Sequence, residues 1–329
     1  MFLQFRGEKL VKITIKDVAK EAGVSISAVS YIMNDSKEKK YSPETILKVK
    51  KAAEKLNYIP NNIARGMRSK KSYAIGYVSY WNFENRVSVK ILRGIVKCSD
   101  KLGYSVVVCN TNEKSFDDTS YIEYYRRGRI DGIVFMCPVE YTEFNENIHI
   151  KAMSENHIPF VLISPKTQYK NISDFSFDFE SATYVATKKL CLEGEKDITY
   201  VYHDYKELQN EVVLRKNGYK KAVSEFDLCG KYVSDDNIEK EISNFKAVVT
   251  DKSDTAVLII NSAVKHGLKI PENFKLVAGN TEPYTDKLCF PIESSSFPFE
   301  KIGYDACDCI VRQIGGESIT VHKKYACMI

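Results

Sequence analysis

The segment from Thr14 to Asn34, TIKDVAKEAGVSISAVSYIMN, constrains the fold of this chain most strongly. Thr14 can cap a first helix, whose apolar residues recur at helical spacing, and Gly23 supplies the permissive backbone that a tight corner needs. Ser25 can then cap a second helix. Two short helices joined by a glycine-containing turn form a helix-turn-helix, whose second helix enters the major groove of DNA. The alternative is an ordinary helical hairpin.

A third helix and a basic segment follow, and they argue against an ordinary hairpin. Ser42 and Pro43 begin the helix, and its apolar face extends to Leu56. The next phrase, NYIPNNIARGMRSKK, predicts a short polar and basic helix that starts near Asn61. Residues 11–70 contain 13 Lys or Arg against 6 Asp or Glu, a net charge of +7, whereas the whole chain carries +5. Positive charge is therefore concentrated where the motif would meet phosphate groups.

The order of the phrases TIKDVAKEAGVS, SPETILKVKKAAEKLNYIPN and IARGMRS resembles the DNA-binding head of the LacI/GalR family of bacterial transcriptional repressors. The resemblance implies a helix-turn-helix head over residues 11–59 and a hinge helix with its linker over residues 60–72. It also implies an effector-binding and dimerisation core over residues 73–329. A length of 329 residues and a hydrophobic content of 44% fit a head followed by a core of two lobes.

From Tyr73 onward, short β-branched runs alternate with helical segments, a pattern typical of parallel sheets with βαβ crossovers. The phrases RRGRIDGIVFM and NHIPFVLI resemble the core of the same family, which is related to periplasmic sugar-binding proteins. The predicted fold is an all-α helix-turn-helix head joined by a hinge helix to an α/β core of two Rossmann-like lobes, periplasmic-binding-protein-like of type I. We expect the first lobe at about 73–172 plus 297–316, and the second at about 173–296 plus 317–329.

Positions on the second helix indicate which side chains contact DNA. Ile26, Ser27 and Tyr31 are predicted to point outward and read base edges, through two hydroxyl groups and an apolar contact with a thymine methyl. Smaller polar residues nearby are better suited to phosphate contacts, which position a protein without specifying a sequence. These residues are Thr14, Ser25, Ser30 and Asn34.

The hinge segment implies a second mode of DNA contact. In the family, this segment folds into a helix on the operator and inserts an apolar side chain into the minor groove at the dimer axis. That position falls on Met67, with Ala64 one turn before it, and Asn62 lies at the start of the segment. Gly66 makes helix formation less favourable than Ala would, by about 1 kcal/mol of free energy, so we expect the isolated hinge to fold only on DNA. A plain linker is the alternative.

Ligands in such folds bind at the carboxyl ends of the strands, in the cleft between the lobes. Relatives hold an effector with an Arg on a second-lobe helix, an Asn-Asp pair after one strand and an Asp after the next. Arg215 stands where that Arg is expected, but the pair falls on Lys252 and its neighbour, and the later Asp falls on Thr281. The aromatic pair of the first lobe is also missing, which leaves Trp81 and Phe83 in the preceding loop.

These departures leave the effector class open. Lys252 with Arg215 would favour an anionic effector, such as a sugar phosphate or an organic acid. A neutral sugar is the family default, and Trp81 either stacks on a sugar ring or covers an edge of the core. A core that senses no ligand is a third possibility.

Other classes find little support in the sequence. The five histidines lie in no recognisable nucleophile-base motif and no P-loop or GxGxxG follows a strand, so neither an enzyme nor a bound cofactor is expected. The nine cysteines have no paired CxxC spacing, which argues against a metal site and a disulfide framework. No apolar run is long enough to cross a membrane. A constitutive or architectural DNA-binding protein is the alternative function, and sequence specificity distinguishes it from a repressor.

The sequence therefore predicts a homodimeric, cytoplasmic transcriptional regulator, a repressor, that lies on the nucleoid when bound. Its partners would be a near-palindromic operator in double-stranded DNA and a small-molecule effector, a carbohydrate or an anionic metabolite. Residues 1–10 precede the point at which the resemblance begins. They are either an N-terminal extension or lie upstream of a translation start at Leu10 or Val11.

Overall fold

The computed structural model describes residues 13–33, 41–58, 71–80, 86–109, 116–137, 145–164, 169–203, 209–279, 289–290 and 292–329. The chain divides between Ser72 and Tyr73 into two compact units, a head and a core.

The described part of the head consists of three helices around a small apolar centre. They are α1 (Ile15–Ala22), α2 (Ile26–Met33) and α3 (Pro43–Lys55). Each helix contributes one valine with no exposed surface, namely Val18, Val29 and Val49. Ser42 caps α3, since its Oγ accepts a hydrogen bond from the Thr45 amide at 3.3 Å. The helices therefore pack on one shared core, as an amphipathic pattern requires.

Capping residues set the corner between α1 and α2. The Thr14 amide and hydroxyl both donate to Asp17 Oδ2, at 2.8 Å and 2.7 Å, and these bonds lower the pKa of Asp17. Gly23 ends α1 at φ +66°, in the left-handed region that glycine adopts without strain. Ser25 Oγ then accepts from the Ala28 amide at 3.1 Å and starts α2. The predicted helix-turn-helix is confirmed over these residues.

The core contains two sets of elements that alternate along the chain. Its strands are β1 (Ala74–Ser79), β2 (Ser105–Cys109), β3 (Gly132–Met136), β4 (Phe160–Ser164), β5 (Asp174–Phe177), β6 (Ile198–Tyr202), β7 (Lys231–Ser234), β8 (Ala247–Thr250), β9 (Lys275–Ala278), β10 (Glu293–Ser294) and β11 (His322–Tyr325). Its helices are α4 (Arg86–Leu102), α5 (Ile122–Arg126), α6 (Glu146–Glu155), α7 (Phe179–Leu192), α8 (Gln209–Glu225), α9 (Ile238–Glu241), α10 (Ser253–Lys265) and α11 (Phe299–Ile314).

The strands form two parallel sheets, as the alternating pattern predicts. Within the described ranges, the first sheet has six strands in the order β11-β5-β4-β3-β1-β2, and the second has five in the order β10-β9-β8-β6-β7. Every pairing between these strands is parallel. Parallel strands need helices on their faces, which explains the buried, β-branched character of β3, β4 and β8.

The sheets differ from the predicted lobes in two places. β5, predicted to open the second lobe, pairs with β4 in the first sheet. β11, predicted to close the second lobe, pairs with β5 in that same sheet. All four residues of β5 are buried, and the alternation of polar Asp174 and Ser176 with Phe175 and Phe177 predicts a strand without indicating which sheet it joins. The second lobe therefore begins after Asp178, with α7.

Two glycines allow α4 and α11 to pack in unusually close contact. A Cβ atom on Gly94 would lie 1.9 Å from the carbonyl oxygen of Glu300, and one on Gly303 would lie 2.0 Å from that of Ile91. Only glycine fits at both positions, since real Cβ atoms do not approach a carbonyl so closely. The backbones of the two helices are therefore in direct contact.

Four phenylalanines pack where the chain crosses between the sheets. Phe297 lies at the centre of this cluster, with ring centroids 5.4 Å from Phe177, 5.8 Å from Phe179 and 5.8 Å from Phe299. Edge-to-face pairs of this kind contribute about 0.5–1.5 kcal/mol beyond the area that they bury. The cluster, Phe177/Phe179/Phe297/Phe299, therefore packs the crossover at residues 177–179 against the crossover at residues 297–299.

We predict that the stability of the core depends on pH through His322. Its Nδ1 is hydrogen-bonded to the buried Asp174 carboxylate, which raises the pKa of His322 above its ordinary 6.5. A raised histidine pKa stabilises the fold fully below about pH 6.5, and this contribution is lost as the pH rises through the folded value. Wild type should melt at a higher temperature than His322→Gln at low pH, and we expect this difference to shrink as the pH rises above 6.5. Parallel pH profiles would contradict this prediction.

Candidate DNA-binding surface and ligand pocket

One side of α2 faces solvent and the other faces the head core. Ile26 is 43% exposed and Ser27 is also exposed, although isoleucine is usually an interior residue. The opposite side is buried, through Ala28, Val29 and Ile32. An exposed branched aliphatic beside an exposed hydroxyl is a surface that can meet a thymine methyl and a polar base edge.

Tyr31 lies at the edge of this surface and is half-buried. Its ring packs edge-on against Tyr41, with centroids 5.5 Å apart and an interplanar angle of 62°. Tyr41 directly precedes the cap of α3, so the third helix holds the Tyr31 ring in place. A ring fixed in this way loses little conformational freedom when its hydroxyl makes a contact.

The residues predicted to contact phosphate differ in their exposure. Thr14 and Ser25 are exposed, and both also act as helix caps. Ser30 is only 9% exposed, because it falls on the side of α2 that packs against the head. This burial argues against the predicted phosphate contact of Ser30. A difference of one position on a helix rotates a side chain by about 100°, which the spacing alone did not resolve for this residue.

Several predicted site residues lie outside the described residues. They are Asn34, Asn62, Ala64 and Met67 of the DNA-contact set, and Trp81, Phe83 and Thr281 of the effector set.

Arg215, the arginine predicted to hold an effector, lies at the carboxyl edge of the second sheet and is enclosed there. Arg215 on α8 is 2% exposed, and its Nε and Nη2 lie 2.8 Å and 2.7 Å from Glu211 Oε1. Its Nη1 donates to the carbonyl oxygens of Asp251, at 2.8 Å, and Gly279, at 3.1 Å. Asp251 directly follows β8 and Gly279 directly follows β9. Arg215 therefore joins the ends of two adjacent strands.

Charges around Arg215 are paired. The Nζ of Lys252 lies 3.8 Å from Glu211 Oε1, and the Lys252 side chain is 14% exposed. Burial alone would raise the pKa of Glu211, but the adjacent Arg215 and Lys252 outweigh it and lower that pKa. Burial alone would likewise lower the pKa of Arg215, but the Glu211 carboxylate outweighs burial and raises that pKa. Glu211 is therefore ionised between two cations.

Asp251 is a site residue that the sequence analysis missed. Its carboxylate accepts from the Thr255 hydroxyl at 2.5 Å, from the Lys252 amide at 2.7 Å and from the His203 amide at 3.2 Å. Burial raises its pKa. Its position directly after a buried strand was the available signal, since carboxyl ends of parallel strands form sites. Asp251 thereby fixes the start of α10 and the end of β6.

This geometry does not fit a free guanidinium clamp. An arginine has five N–H donors, and Glu211, Asp251 and Gly279 engage four of those of Arg215. Glu211, four residues before Arg215 on the same helix face, was also missed, although this spacing is the usual one for a helical ion pair. The polar groups closest to solvent in this cluster are those of Lys252 and Glu211.

The described part of the chain contains neither a metal-binding cluster nor a membrane-spanning helix. Across the described ranges, no group of three or more His, Cys, Asp or Glu side chains is arranged to hold a metal ion. None of the described helices has the length and apolar character to cross a membrane.

We predict that Glu211 and Arg215 stabilise the core only as a pair. Glu211→Gln should lower the free energy of unfolding by about 3–5 kcal/mol, because it leaves a buried cation without its counter-charge. Glu211→Leu combined with Arg215→Met should cost much less, since both charges are removed together. Chemical denaturation of the three proteins measures the difference. Lys221→Gln, an exposed lysine on the same helix, is the matched control.

Equal losses in the single and double variants would contradict the pairing. A loss in Lys221→Gln as large as that in Glu211→Gln would show that any charge change on α8 has the same effect.

Two family models match this chain. Residues 14–61 match bacterial regulatory proteins of the lacI family, and residues 187–328 match the periplasmic binding protein-like domain.

Named relatives extend over nearly the whole chain. Catabolite control protein A of Priestia megaterium is 26% identical over 323 residues, which cover 94% of this chain and 95% of that protein. The HTH-type transcriptional repressor PurR of Histophilus somni (strain 129Pt) is 28% identical, with 92% of each chain covered. The HTH-type transcriptional regulator KdgR of Bacillus subtilis (strain 168) is also 28% identical, again with 92% of each covered.

Solved structures share the fold. The lac repressor dimer bound to operator and the anti-inducer ONPF has a TM-score of 0.62 at 19% identity, covering 96% of this chain and 98% of that one. The complex of the transcriptional regulator CelR with cellobiose has a TM-score of 0.58 at 19% identity, with the same coverage.

Proposed function

The chain belongs to the LacI family of bacterial transcriptional regulators, and from this membership we propose that it is a cytoplasmic homodimeric repressor controlled by a small neutral carbohydrate. It is a regulator with a helix-turn-helix head and a periplasmic-binding-protein-like core, not an enzyme. The observation that carries the proposal is the capped helix-turn-helix, whose second helix exposes Ile26 and Ser27.

In this proposal, α2 reads base edges in the major groove. Ile26 would contact a thymine methyl group, and the hydroxyls of Ser27 and Tyr31 would bond to polar base edges. Thr14 and Ser25, at the starts of the two helices, would contact phosphate and fix the register of α2. The reading surface contains no Arg or Gln, so each half-site would be read by short-range contacts.

An exposed apolar surface on the first lobe supports the homodimer. Val89 and Val96, seven residues apart on α4, are 41% and 38% exposed. Val108 on β2, an edge strand of the first sheet, is 40% exposed. A second copy would cover this surface by two-fold symmetry, and two heads would then occupy the half-sites of a near-palindromic operator.

The carboxyl edge of the second sheet supports a neutral effector over an anionic one. Two unpaired cations would attract an anion, but Arg215 and Lys252 both lie beside the Glu211 carboxylate. An anion would approach Glu211 and Asp251 as well as the cations. Hydroxyl groups both donate and accept, so a polyhydroxylated ligand can bond to the Lys252 ammonium and the Glu211 carboxylate together. Binding would favour one arrangement of the lobes and thereby shift the population that binds DNA.

We predict that the exposed side of α2 determines operator sequence. In a selection from random duplexes, Ile26→Ala and Tyr31→Ala should each enrich a different sequence from wild type. On the wild-type operator, each should lose about tenfold in affinity, which corresponds to about 1.4 kcal/mol. Leu47→Ala, which removes an exposed side chain from α3, is the control and should keep the wild-type preference.

If all variants selected the same sequence as wild type, the prediction that α2 determines the operator sequence would be contradicted. Wild-type affinities for selected and random duplexes within about tenfold of each other would indicate an architectural protein, since specific repressors differ by about 10³ or more.

We also predict that neutral sugars, not anions, stabilise the core. A ligand at about a hundred times its Kd adds roughly 2.7 kcal/mol of stability, so a thermal-shift screen detects it. Neutral mono- and disaccharides should include a ligand that raises the melting temperature, and Lys252→Gln should abolish that rise. Lys265→Gln, an exposed lysine on α10, is the matched control.

A rise produced by sugar phosphates or organic acids and lost in Lys252→Gln would instead support an anionic effector. No rise across the whole panel would contradict sensing of these ligands and favour constitutive repression.

A further inference from the structure

Two cysteines lie at the contact between α4 and α11. Cys98 follows Gly94 by four residues on α4, and Cys307 follows Gly303 by four residues on α11, so each thiol lies one helical turn beyond a contact glycine. Neither residue has any exposed surface, and each thiol shifts the pKa of the other, that of Cys98 downward and that of Cys307 upward.

The glycine contacts explain why these thiols meet. Gly94 approaches Glu300 and Tyr304, and Gly303 approaches Ile91 and Ile95, so the backbones touch at this point. The contacts of Arg93 with Glu300 and of Lys101 with Tyr304 show that the two helices run in the same direction with a similar offset in sequence. That offset places residue 98 of one helix opposite residue 307 of the other. Because the backbones touch one turn earlier, the separation of the helices at the cysteines is small. A disulfide requires such proximity, since it joins Cα atoms no more than about 7 Å apart.

We propose that Cys98 and Cys307 form a redox modification site, in which a hydroperoxide oxidises the two thiols to a disulfide that joins α4 to α11. The proposal does not depend on DNA binding or on the effector. It rests on the paired burial of the thiols and on the close helix contact.

The chemistry requires one two-electron oxidant. The Cys98 thiolate attacks the peroxide oxygen, the O–O bond breaks, and Cys98 becomes a sulfenic acid as the departing oxygen takes a proton. The Cys307 thiol then loses its proton, and its sulfur attacks the Cys98 sulfur and displaces water. Two thiols and one hydrogen peroxide thus yield one disulfide and two waters. The neighbouring Cys307 lowers the pKa of Cys98, which favours Cys98 as the first nucleophile.

Both thiols are buried, so the oxidant reaches them only when the contact between α4 and α11 opens locally. Closure then returns the sulfenic acid to the remaining thiol. The disulfide would join α11 to the buried side of α4, the side away from the exposed Val89 and Val96. It would also close a long loop between residues 98 and 307. A cross-link over a long loop raises the stability of the folded state.

The test uses the full-length chain with its two exposed cysteines replaced, Cys229→Ser and Cys289→Ser, so that oxidation does not join separate molecules. The folded protein is treated with hydrogen peroxide, unfolded in the presence of N-ethylmaleimide, and mapped by mass spectrometry. We expect a mass lower by two hydrogen atoms before alkylation, a peptide linkage between residues 98 and 307, and a rise of several degrees in melting temperature.

Matched variants separate this pair from the other buried thiols. Cys309→Ser changes a buried cysteine two residues further along α11 and should keep both the linkage and the rise in melting temperature. Cys98→Ser and Cys307→Ser should lose both, and oxidation of the parent protein in concentrated guanidinium chloride should give mixed linkages. The proposal is overturned if both thiols remain open to alkylation, or if Cys98 proceeds to sulfinic acid without a linkage. It is also overturned if the same linkage dominates in guanidinium chloride.

Discussion

The second lobe depends on one buried ion pair. A guanidinium that is 2% exposed is costly to remove from water, and Arg215 offsets that cost with a carboxylate and two strand-end carbonyls. Its own carbonyl oxygen accepts a hydrogen bond from the Thr183 hydroxyl on α7. One residue of α8 is therefore bonded to β8, β9 and α7 at the edge where ligands bind in this fold. In the proposed effector site, stability and ligand recognition would therefore use the same atoms.

The guanidinium of Arg215 also contacts the phenylalanine cluster at the crossovers between the two sheets. It lies 5.2 Å from the centroid of the Phe179 ring, which belongs to the Phe177/Phe179/Phe297/Phe299 cluster. The Nζ of Lys90 on α4 lies 5.5 Å from the centroid of Phe299 in that cluster. A packed series of contacts thus runs from Glu211 through the crossovers to α4, the helix that exposes Val89 and Val96. A shift between two arrangements of the lobes would have to repack these elements.

Local signals made the head the most predictable part of the chain. Thr14, Gly23 and Ser25 act on backbone groups within four residues of themselves, so their capping roles can be read from the sequence and are confirmed by the structure. The parallel sheets of the core followed from the alternation of elements in the same way. The sheet that β5 joins did not, because pairing between distant strands depends on the whole packed core. The hydrogen-bond partners of Arg215 could not be predicted either, since the carbonyl oxygens that accept from it belong to residues 36 and 64 positions away.

The exposed side of α2 limits how specificity can arise in the proposed repressor. A bidentate contact from Arg or Gln is worth about 1–3 kcal/mol of discrimination, and Ile26 and Ser27 make no such contact. Small contributions nevertheless add across a two-fold site, because each substitution in a palindrome changes both half-sites. If one half-site discriminates tenfold, two identical half-sites discriminate about a hundredfold, or about 2.7 kcal/mol. Dimerisation is therefore what would turn a short, weakly polar reading surface into a specific one, which makes the apolar surface on α4 and β2 as important to operator choice as α2 itself.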